Sequence, residues 1–194
     1  MDKLDQNTVT RETVVDYIIS LFHEMGDRSY LGEAISQAEH GLQCAVVADQ
    51  FNSPDSLVAA ALLHDIGHFL HDFGDDCMAE GIDSRHEDVG ADFLARFFAE
   101  EVTEPVRMHV DAKRYLCAVE PDYFELLSPA SIESLRLQGG PMSAQEAEAF
   151  AKSPHLEQAL QLRRFEEAGK NVGVETPPVE HYRVLLEGLI RKSQ

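Results

Sequence analysis

The chain has 194 residues and a formal net charge of −19 at pH 7, because 35 acidic side chains outnumber 16 basic ones. Contacts to nucleic-acid phosphates need clustered Lys and Arg, so this charge argues against a nucleic-acid partner. No apolar run approaches the roughly 18 residues of a membrane span and residues 1–5 lack a signal peptide's apolar core, which predicts a cytoplasmic protein without a membrane partner.

The length suits one domain with a sizeable core. We therefore predict a single domain over residues 1–194, with a flexible tail at residues 1–10. The cysteines Cys44, Cys77 and Cys117 are odd in number and show no CxxC spacing. This pattern favours reduced, structural thiols over a disulfide or a zinc site. The sequence predicts no particular oligomeric state.

The first predicted elements are two helices joined by a loop. Apolar residues recur at helical spacing over residues 11–25, and Gly26 is a natural helix terminator. Residues 27–32 then form a loop. The apolar pattern of residues 36–51 predicts a second helix, and this helix carries His40.

The third predicted helix covers residues 54–71 without interruption. The serine and proline at its start are typical of an N-cap followed by proline at the first helical position. On a continuous helix His64 and His68 share a face, while Asp65 lies about 100° around the axis. One helix can therefore offer a nitrogen ligand and a bridging carboxylate.

The rest of the chain is also predicted to be helical, apart from a loop at residues 71–83 and a Pro-containing linker at residues 171–178. The final helix has Val184 and Leu186 on its apolar side. No strand alternation is present, so the predicted fold class is all-α, a bundle of roughly eight to ten helices. The remaining predicted helices are residues 85–99, 103–117, 121–127, 128–138, 143–152, 154–168 and 179–192.

Four histidines and one aspartate occupy separate predicted elements or their edges. His40 and His64 are 24 residues apart, and His86 and His109 are 23 apart. Each separation approximates one helix plus a loop, so successive helices of a bundle can place the four histidine rings at the same level of the bundle. Four imidazoles and the Asp65 carboxylate exceed the needs of one ion, which indicates two metals bridged by Asp65. Nitrogen and oxygen ligands favour iron, manganese or zinc; hydrogen-bonded core histidines are the alternative.

These residues resemble the H…HD…D pattern of the HD-domain superfamily, most of whose members are metal-dependent phosphohydrolases. The added His86 and His109 resemble the mixed-valent diiron oxygenases, which include myo-inositol oxygenase and the phosphonate-degrading oxygenases of the PhnZ and TmpB type. The resemblance to this last group covers nearly the whole chain. Its blocks are YLGE at 30–33, EHGLQCA at 39–45, LLHDIGH at 62–68, HEDVGAD at 86–92, HVDAKRYL at 109–116, QGGPM at 138–142 and EHYR at 180–183.

The resemblance implies two iron ions, Fe(II) and Fe(III), with O2 as co-substrate. Similar proteins have Asp in the block that reads LRRFEE at residues 162–167. The aligned ligand is therefore Glu166, with Glu167 as the alternative. The implied ligands are His40, His64, Asp65 and Glu166 for one iron, and Asp65, His86 and His109 for the other.

The resemblance also implies an organophosphonate substrate, which binds one iron by its hydroxyl while O2 is activated at the other. An ammonium or trimethylammonium head on the substrate needs a carboxylate or a ring, and Glu33 and Tyr30 supply them. By similarity, Tyr30 occupies the vacant iron site until substrate binds. A buried phosphonate dianion needs cations and donors. The residues expected to bind it are His68, Lys113, Ser131 and Arg163, and those expected to act in catalysis are Tyr30, Glu33, His68 and Lys113.

Two substrates compete within this group. Cleavage of 1-hydroxy-2-(trimethylammonio)ethylphosphonate would give phosphate and glycine betaine, and the 2-amino analogue would give phosphate and glycine. Overall similarity favours the trimethylated compound. Two other functions stay open: an HD phosphohydrolase acting on a nucleotide or phosphate ester through a metal-activated water, and a non-catalytic HD domain that senses a phosphorylated metabolite.

Overall fold

The structure, a computed structural model, describes residues 6–30, 33–70 and 83–192. Ten α-helices and no strand occur in these residues, which confirms the predicted all-α fold. None of the helices in these ranges is long and apolar enough to cross a bilayer. Most of the predicted loop at 71–83, including Cys77, lies outside the described residues, as do Leu31 and Gly32. The helices are α1 Val14–Met25, α2 Gln37–Gln50, α3 Asp55–Leu63, α4 Gly67–Leu70, α5 His86–Leu94, α6 Glu100–Val119, α7 Pro129–Leu137, α8 Ala144–Phe150, α9 Leu156–Ala168 and α10 Arg183–Leu189, with 3-10 helices at Gln6–Thr8, Tyr123–Leu126 and Val179–Tyr182.

Side-chain caps start three of the helices. Ser36 opens α2 in a capping box, in which its hydroxyl accepts from one backbone N–H and Glu39 accepts the N–H of Ser36. The predicted capping box of Ser143 and Glu146 is confirmed at the start of α8. Ser128 caps α7 ahead of a proline at the first helical position, as the sequence predicts.

The centre of the bundle is α3, in which residues 57–63 are all buried. It packs against α2, α6 and α9. Gly41 lets α2 approach closely, because a Cβ there would lie only 2.8 Å from the carbonyl oxygen of Leu62. This close crossing sets His40 on α2 beside His64, which directly follows α3.

The prediction of one helix over residues 54–71 is wrong. The helix α3 ends at Leu63, residues 64–66 form a turn, and α4 begins at Gly67. Around the turn the backbone hydrogen bonds join residues three apart, as in the 2.9 Å bond from the His68 N–H to the Asp65 carbonyl. The turn coincides with a close tertiary contact, since a Cβ at Gly67 would lie 2.0 Å from the carbonyl oxygen of His86.

The helix predicted for residues 85–99 is shorter than expected. Its structural counterpart, α5, ends at Leu94. The backbone that follows pairs instead with the C-terminal segment. Phe98 forms an isolated antiparallel bridge with Ile190, and the N–H of Arg191 donates to the carbonyl of Phe97 at 2.8 Å.

One prediction for the last helix is also wrong. Val184 is 79% exposed, whereas Leu186 is buried as expected. The 3-10 turn before α10 changes the rotation per residue and so shifts the apolar face. The flexible tail at residues 1–10 stays a prediction; among residues 6–10 Val9 alone is buried, and Arg96 donates to its carbonyl at 3.2 Å.

Candidate metal centre

Asp65 lies between two pairs of buried histidines. Its Oδ2 is 3.1 Å from His64 Nε2 and 3.9 Å from His40 Nε2. Its Oδ1 is 3.2 Å from His86 Nε2 and 3.6 Å from His109 Nε2. One carboxylate oxygen therefore faces each pair, as a carboxylate that bridges two metal ions requires.

Three helices and one turn position these side chains. His40 lies near the capped start of α2, and His109 lies midway along α6. The turn at residues 64–66 brings Asp65 beside the His64 ring, where a continuous helix would direct it about 100° away. His86 opens α5 directly after Arg85, whose left-handed φ of 48° is uncommon for a residue other than glycine.

Hydrogen bonds to backbone carbonyls fix the tautomer of three rings. A carbonyl oxygen only accepts, so each Nδ1 must donate and each Nε2 presents its lone pair to the centre. The ring of His86 differs, since its Nδ1 lies 3.5 Å from both Ser84 Oγ and Glu87 Oε2. The bonds to carbonyls run from His40 to Gly169 at 2.9 Å, from His64 to Ala61 at 2.9 Å and from His109 to Val106 at 2.6 Å.

The two Nε2 atoms within each pair are in close contact. They are 3.2 Å apart between His40 and His64 and 3.0 Å apart between His86 and His109. Two lone pairs at this distance repel unless a proton or a cation lies between them. Burial and the neighbouring His64 lower the pKa of His40 to about 3. Burial also lowers the pKa of His64, but the Asp65 and Glu166 carboxylates outweigh it and raise that pKa to about 9.

The donor set fits a metal ion of the iron, manganese or zinc type, because it consists of imidazoles and carboxylates. Asp65 Oδ2 and Glu166 Oε1 are buried and have no hydrogen-bond partner within the described ranges, which leaves lone pairs for a cation. The buried thiol of Cys44 lies 3.7 Å from both ring nitrogens of His40. Burial raises the pKa of Cys44 well above its usual range, which favours the predicted structural thiol over a thiolate ligand.

Glu166, the predicted late ligand, is only 1% exposed. Its Oε2 accepts from one amino group of Arg163, while the other amino group of Arg163 donates to Glu167. Glu167 is further bonded by Lys170 at 3.4 Å. Glu167 thus has a donor for each oxygen, whereas Glu166 keeps one oxygen for a metal. The geometry favours Glu166, and its role as a ligand stays a prediction.

A cavity next to Asp65 collects most of the residues predicted to bind substrate. Tyr30, Glu33, Lys113, Ser131 and Arg163 all line it. His68 lies behind this wall, where its ring stacks on His86 with centroids 4.0 Å apart and its Nε2 is 4.0 Å from Asp65 Oδ1. The predicted residues are therefore close together, with His68 against the metal-binding side rather than in the lining.

Sequence reasoning missed part of the cavity wall. Ser134 and Gln138 line the cavity from α7 and its C-terminal end, together with the predicted Ser131. Their spacing of three and four residues places all of them on one helical face. That spacing lies within the predicted helix 128–138, so it was a usable signal.

A sequence model of the HD domain matches residues 37–143. The chain belongs to the HD-domain family. This HD-domain protein is 45% identical over 192 residues to a 1-hydroxy-2-(trimethylamino)ethylphosphonate dioxygenase (glycine-betaine-forming) of Leisingera caerulea, with 99% of the chain and 98% of the relative covered. It is 42% identical over 187 residues to a hydroxymethylphosphonate dioxygenase of Gimesia maris, covering 94% and 92% of the two chains. An uncharacterized protein of Acanthamoeba polyphaga mimivirus is 32% identical over 181 residues, covering 92% and 83%. The predicted resemblance to phosphonate-degrading oxygenases is confirmed.

Proposed function

We propose that the protein is a diiron dioxygenase that cleaves the C–P bond of 1-hydroxy-2-(trimethylammonio)ethylphosphonate to phosphate and glycine betaine, or of the 2-amino analogue to phosphate and glycine. The observation that carries this proposal is Asp65, which presents one oxygen to each histidine pair beside a cavity with cations at one side and Glu33 at another. The relatives named as phosphonate dioxygenases support it.

The two named relatives act on phosphonates that share a small core. In both names the carbon that bears the phosphonate also bears a hydroxyl, and one substrate adds a trimethylamino head. The metal centre and the cationic side of the cavity suit the shared hydroxyl and phosphonate groups, while the trimethylamino head would bind in another part of the cavity. Glu33 supports a cationic head for this chain, because its carboxylate lines the same cavity.

Two iron ions would be held by His40, His64 and Glu166 on one side and by His86 and His109 on the other, with Asp65 between them. When bound, the ions would supply binding positions for the substrate hydroxyl and for O2, which is the oxidant of the reaction. Overall, one O2 is consumed, the C–P bond breaks, the carbinol carbon becomes a carboxylate, and phosphate and one proton leave. The protein side chains then have to hold the dianion, hold the head and exclude water.

Lys113 is the side chain best placed to hold the phosphonate. It is only 3% exposed and lines the cavity one helical turn after His109. One of its N–H groups donates to Ser134 Oγ at 2.7 Å, which leaves others for phosphonate oxygens. Burial and the charge of Arg163 lower the pKa of Lys113 to about 7, so an arriving dianion would restore full protonation.

Arg163 contributes its positive charge rather than a pair of unbonded N–H donors. Its guanidinium is buried and donates to Glu166, to Glu167 and, through Nε at 3.0 Å, to Tyr123 Oη. These bonds hold the Oε2 atom of Glu166 and leave Oε1 for the metal. Arg163 therefore orients the late ligand while its charge also attracts the phosphonate.

The other side of the cavity would hold the substrate head. The hydroxyl of Ser128 donates to Glu33 Oε1 at 2.5 Å, which fixes the carboxylate at the start of α7. Tyr30 is buried and stacks on the His40 ring, with centroids 3.9 Å apart and the planes at 21°. Departure of Tyr30 on substrate binding would open the centre only when substrate is present, which protects it from premature reaction with O2.

The test is product formation with and without oxygen. Protein loaded with Fe(II) is incubated with the trimethylamino, the 2-amino and the unsubstituted hydroxymethyl phosphonate, and phosphate is measured with glycine betaine, glycine or formate. We expect phosphate and the matching carboxylate in equal amounts, only under O2, and most rapidly with a cationic head. Phosphate release under strict anaerobiosis, or release from nucleotides instead, would establish the HD phosphohydrolase. Fewer than one metal per chain in purified protein would favour the sensor.

A further inference from the structure

Three serines of α7 each bind a charged side chain from another part of the chain. Ser128, at its N-cap, donates to Glu33. Ser134, one turn before the end, accepts from Lys113 at 2.7 Å. Between them, Ser131 Oγ accepts from Lys170 Nζ at 2.8 Å. Glu33 and Lys113 have roles in the proposed reaction, whereas Lys170 has none so far.

The backbone fixes Lys170 firmly beside α7. Its neighbour Gly169 accepts a hydrogen bond from the His40 ring and packs so tightly that a Cβ would lie 2.6 Å from Cys44 Sγ. On the other side, Asn171 forms two backbone bonds with the Gln43 side chain, at 2.9 and 3.0 Å. The Lys170 side chain itself is 11% exposed. Lys170 is thus placed by the same helix α2 that carries His40.

The direction of the Ser131 hydroxyl hydrogen follows from Lys170. An ammonium group donates only, so Ser131 Oγ must be the acceptor and its own hydrogen must point elsewhere. The Ser131 hydroxyl donates no hydrogen bond to another group in the part of the chain that the structure describes. Ser134 differs, because its hydroxyl accepts a hydrogen bond from Lys113 and donates one to the Ser131 carbonyl at 3.1 Å. Ser131 lines the cavity and so has a hydroxyl hydrogen available to an anion there.

We propose that Lys170 is a positioning residue for the phosphonate, which acts by occupying the acceptor side of the Ser131 hydroxyl and so directs its hydrogen at a phosphonate oxygen. This inference rests on the proposed function in assuming that an oxyanion occupies the cavity. Replacement of Lys170 leaves the Ser131 hydroxyl free to rotate, and its hydrogen is then no longer reserved for the ligand. The positive charge of Lys170 adds a smaller attraction, because Glu167 lies 3.4 Å away.

The test is a double-mutant cycle on anion binding. The affinity of iron-loaded protein for methylphosphonate is measured under nitrogen by calorimetry for wild type, Lys170→Met, Ser131→Ala and the double variant. We expect each single variant to weaken binding about tenfold or more, and the double variant to be at most about threefold weaker than Ser131→Ala alone. Lys152→Met is the control, since Lys152 is an exposed lysine paired with Glu148, and its affinity should match wild type.

Two further measurements keep a folding defect apart from a lost contact. Thermal unfolding and iron content are compared for every variant, and Lys170→Arg, which still only donates, should regain most of the affinity. In turnover, Lys170→Met should raise KM while kcat stays within about threefold. The inference would be overturned if Lys170→Met reduced the affinity for methylphosphonate equally in the wild-type and Ser131→Ala backgrounds, or if Lys170→Met bound it as tightly as wild type.

These measurements also distinguish a failure of the Lys170 inference from a failure of the proposed reaction. If methylphosphonate binds and the cycle shows coupling but no phosphonate is cleaved under O2, the proposed reaction fails and the inference stands. If O2-dependent cleavage occurs and Lys170→Met behaves as wild type, only the inference fails.

Discussion

Replacement of Glu33 by Gln tests how the substrate head is recognised. Glu33→Gln keeps the side-chain length and an oxygen for the 2.5 Å hydrogen bond from Ser128. It removes the charge that would face a cationic head. Two unit charges about 4 Å apart attract by about 4 kcal/mol at an effective dielectric near 20. Glu33 is half-buried, and hydration removes about half of that or more. A loss of about 1.5–2 kcal/mol, or about tenfold to thirtyfold in kcat/KM, is therefore expected.

The assay compares two substrates on the same variant. Phosphate release is measured with the trimethylamino phosphonate and with hydroxymethylphosphonate, which lacks a cationic head. We expect the loss only with the first substrate, and little change with the second. Glu24→Gln, which removes one charge from an exposed position of α1, should change neither. An equal loss with both substrates, or no loss with either, would refute the assignment of Glu33 to the head.

Three further predictions concern the anion site, the access to the centre and the turn after α3. Burial and the charge of Arg163 lower the pKa of Lys113 to about 7, so this side chain is charged below that pH and neutral above it. We therefore expect kcat/KM to fall by up to about tenfold per pH unit between pH 7 and 9. In the variant Lys113→Arg, which stays charged, a pH profile should show no such decline. Tyr30→Phe should oxidise its iron faster in air without substrate, because the hydroxyl proposed to occupy the vacant position is missing; unchanged colour and oxidation rate by absorption spectroscopy would count against it. Gly67→Ala places a Cβ where the His86 carbonyl lies, and should cost about 1–3 kcal/mol in the free energy of unfolding and reduce iron content; wild-type values from chemical denaturation and metal analysis would contradict the role of this contact.

The sequence predicted the helical fold and the residues of the centre because both depend on spacing. His40, His64, His86 and His109 lie about one helix and one loop apart, and such spacing survives changes of one or two residues in helix ends. The break at residues 64–66 could not be predicted in this way. Every residue there is compatible with a helix, and the break coincides with the close approach of Gly67 to the distant His86 carbonyl, which no local pattern signals.

The cavity was predictable only in part, for a similar reason. Lys113 and Arg163 follow helical register with proposed ligands, so their approach to the centre could be expected. Lys170 follows a helix-ending glycine, where an exposed lysine is the usual expectation. Its burial depends on Gln43 and Asn171, which are paired across 128 residues of sequence. Long-range contacts of this kind leave no local periodicity to detect.

The most direct measurement is a crystal structure of the iron-loaded protein, with anomalous diffraction data collected at the iron absorption edge under nitrogen. We expect two anomalous peaks, one beside His40 and His64 and one beside His86 and His109, with the Asp65 carboxylate between them. A single peak, or iron bound away from Asp65, would contradict the two-metal centre and the oxygenase chemistry that depends on it.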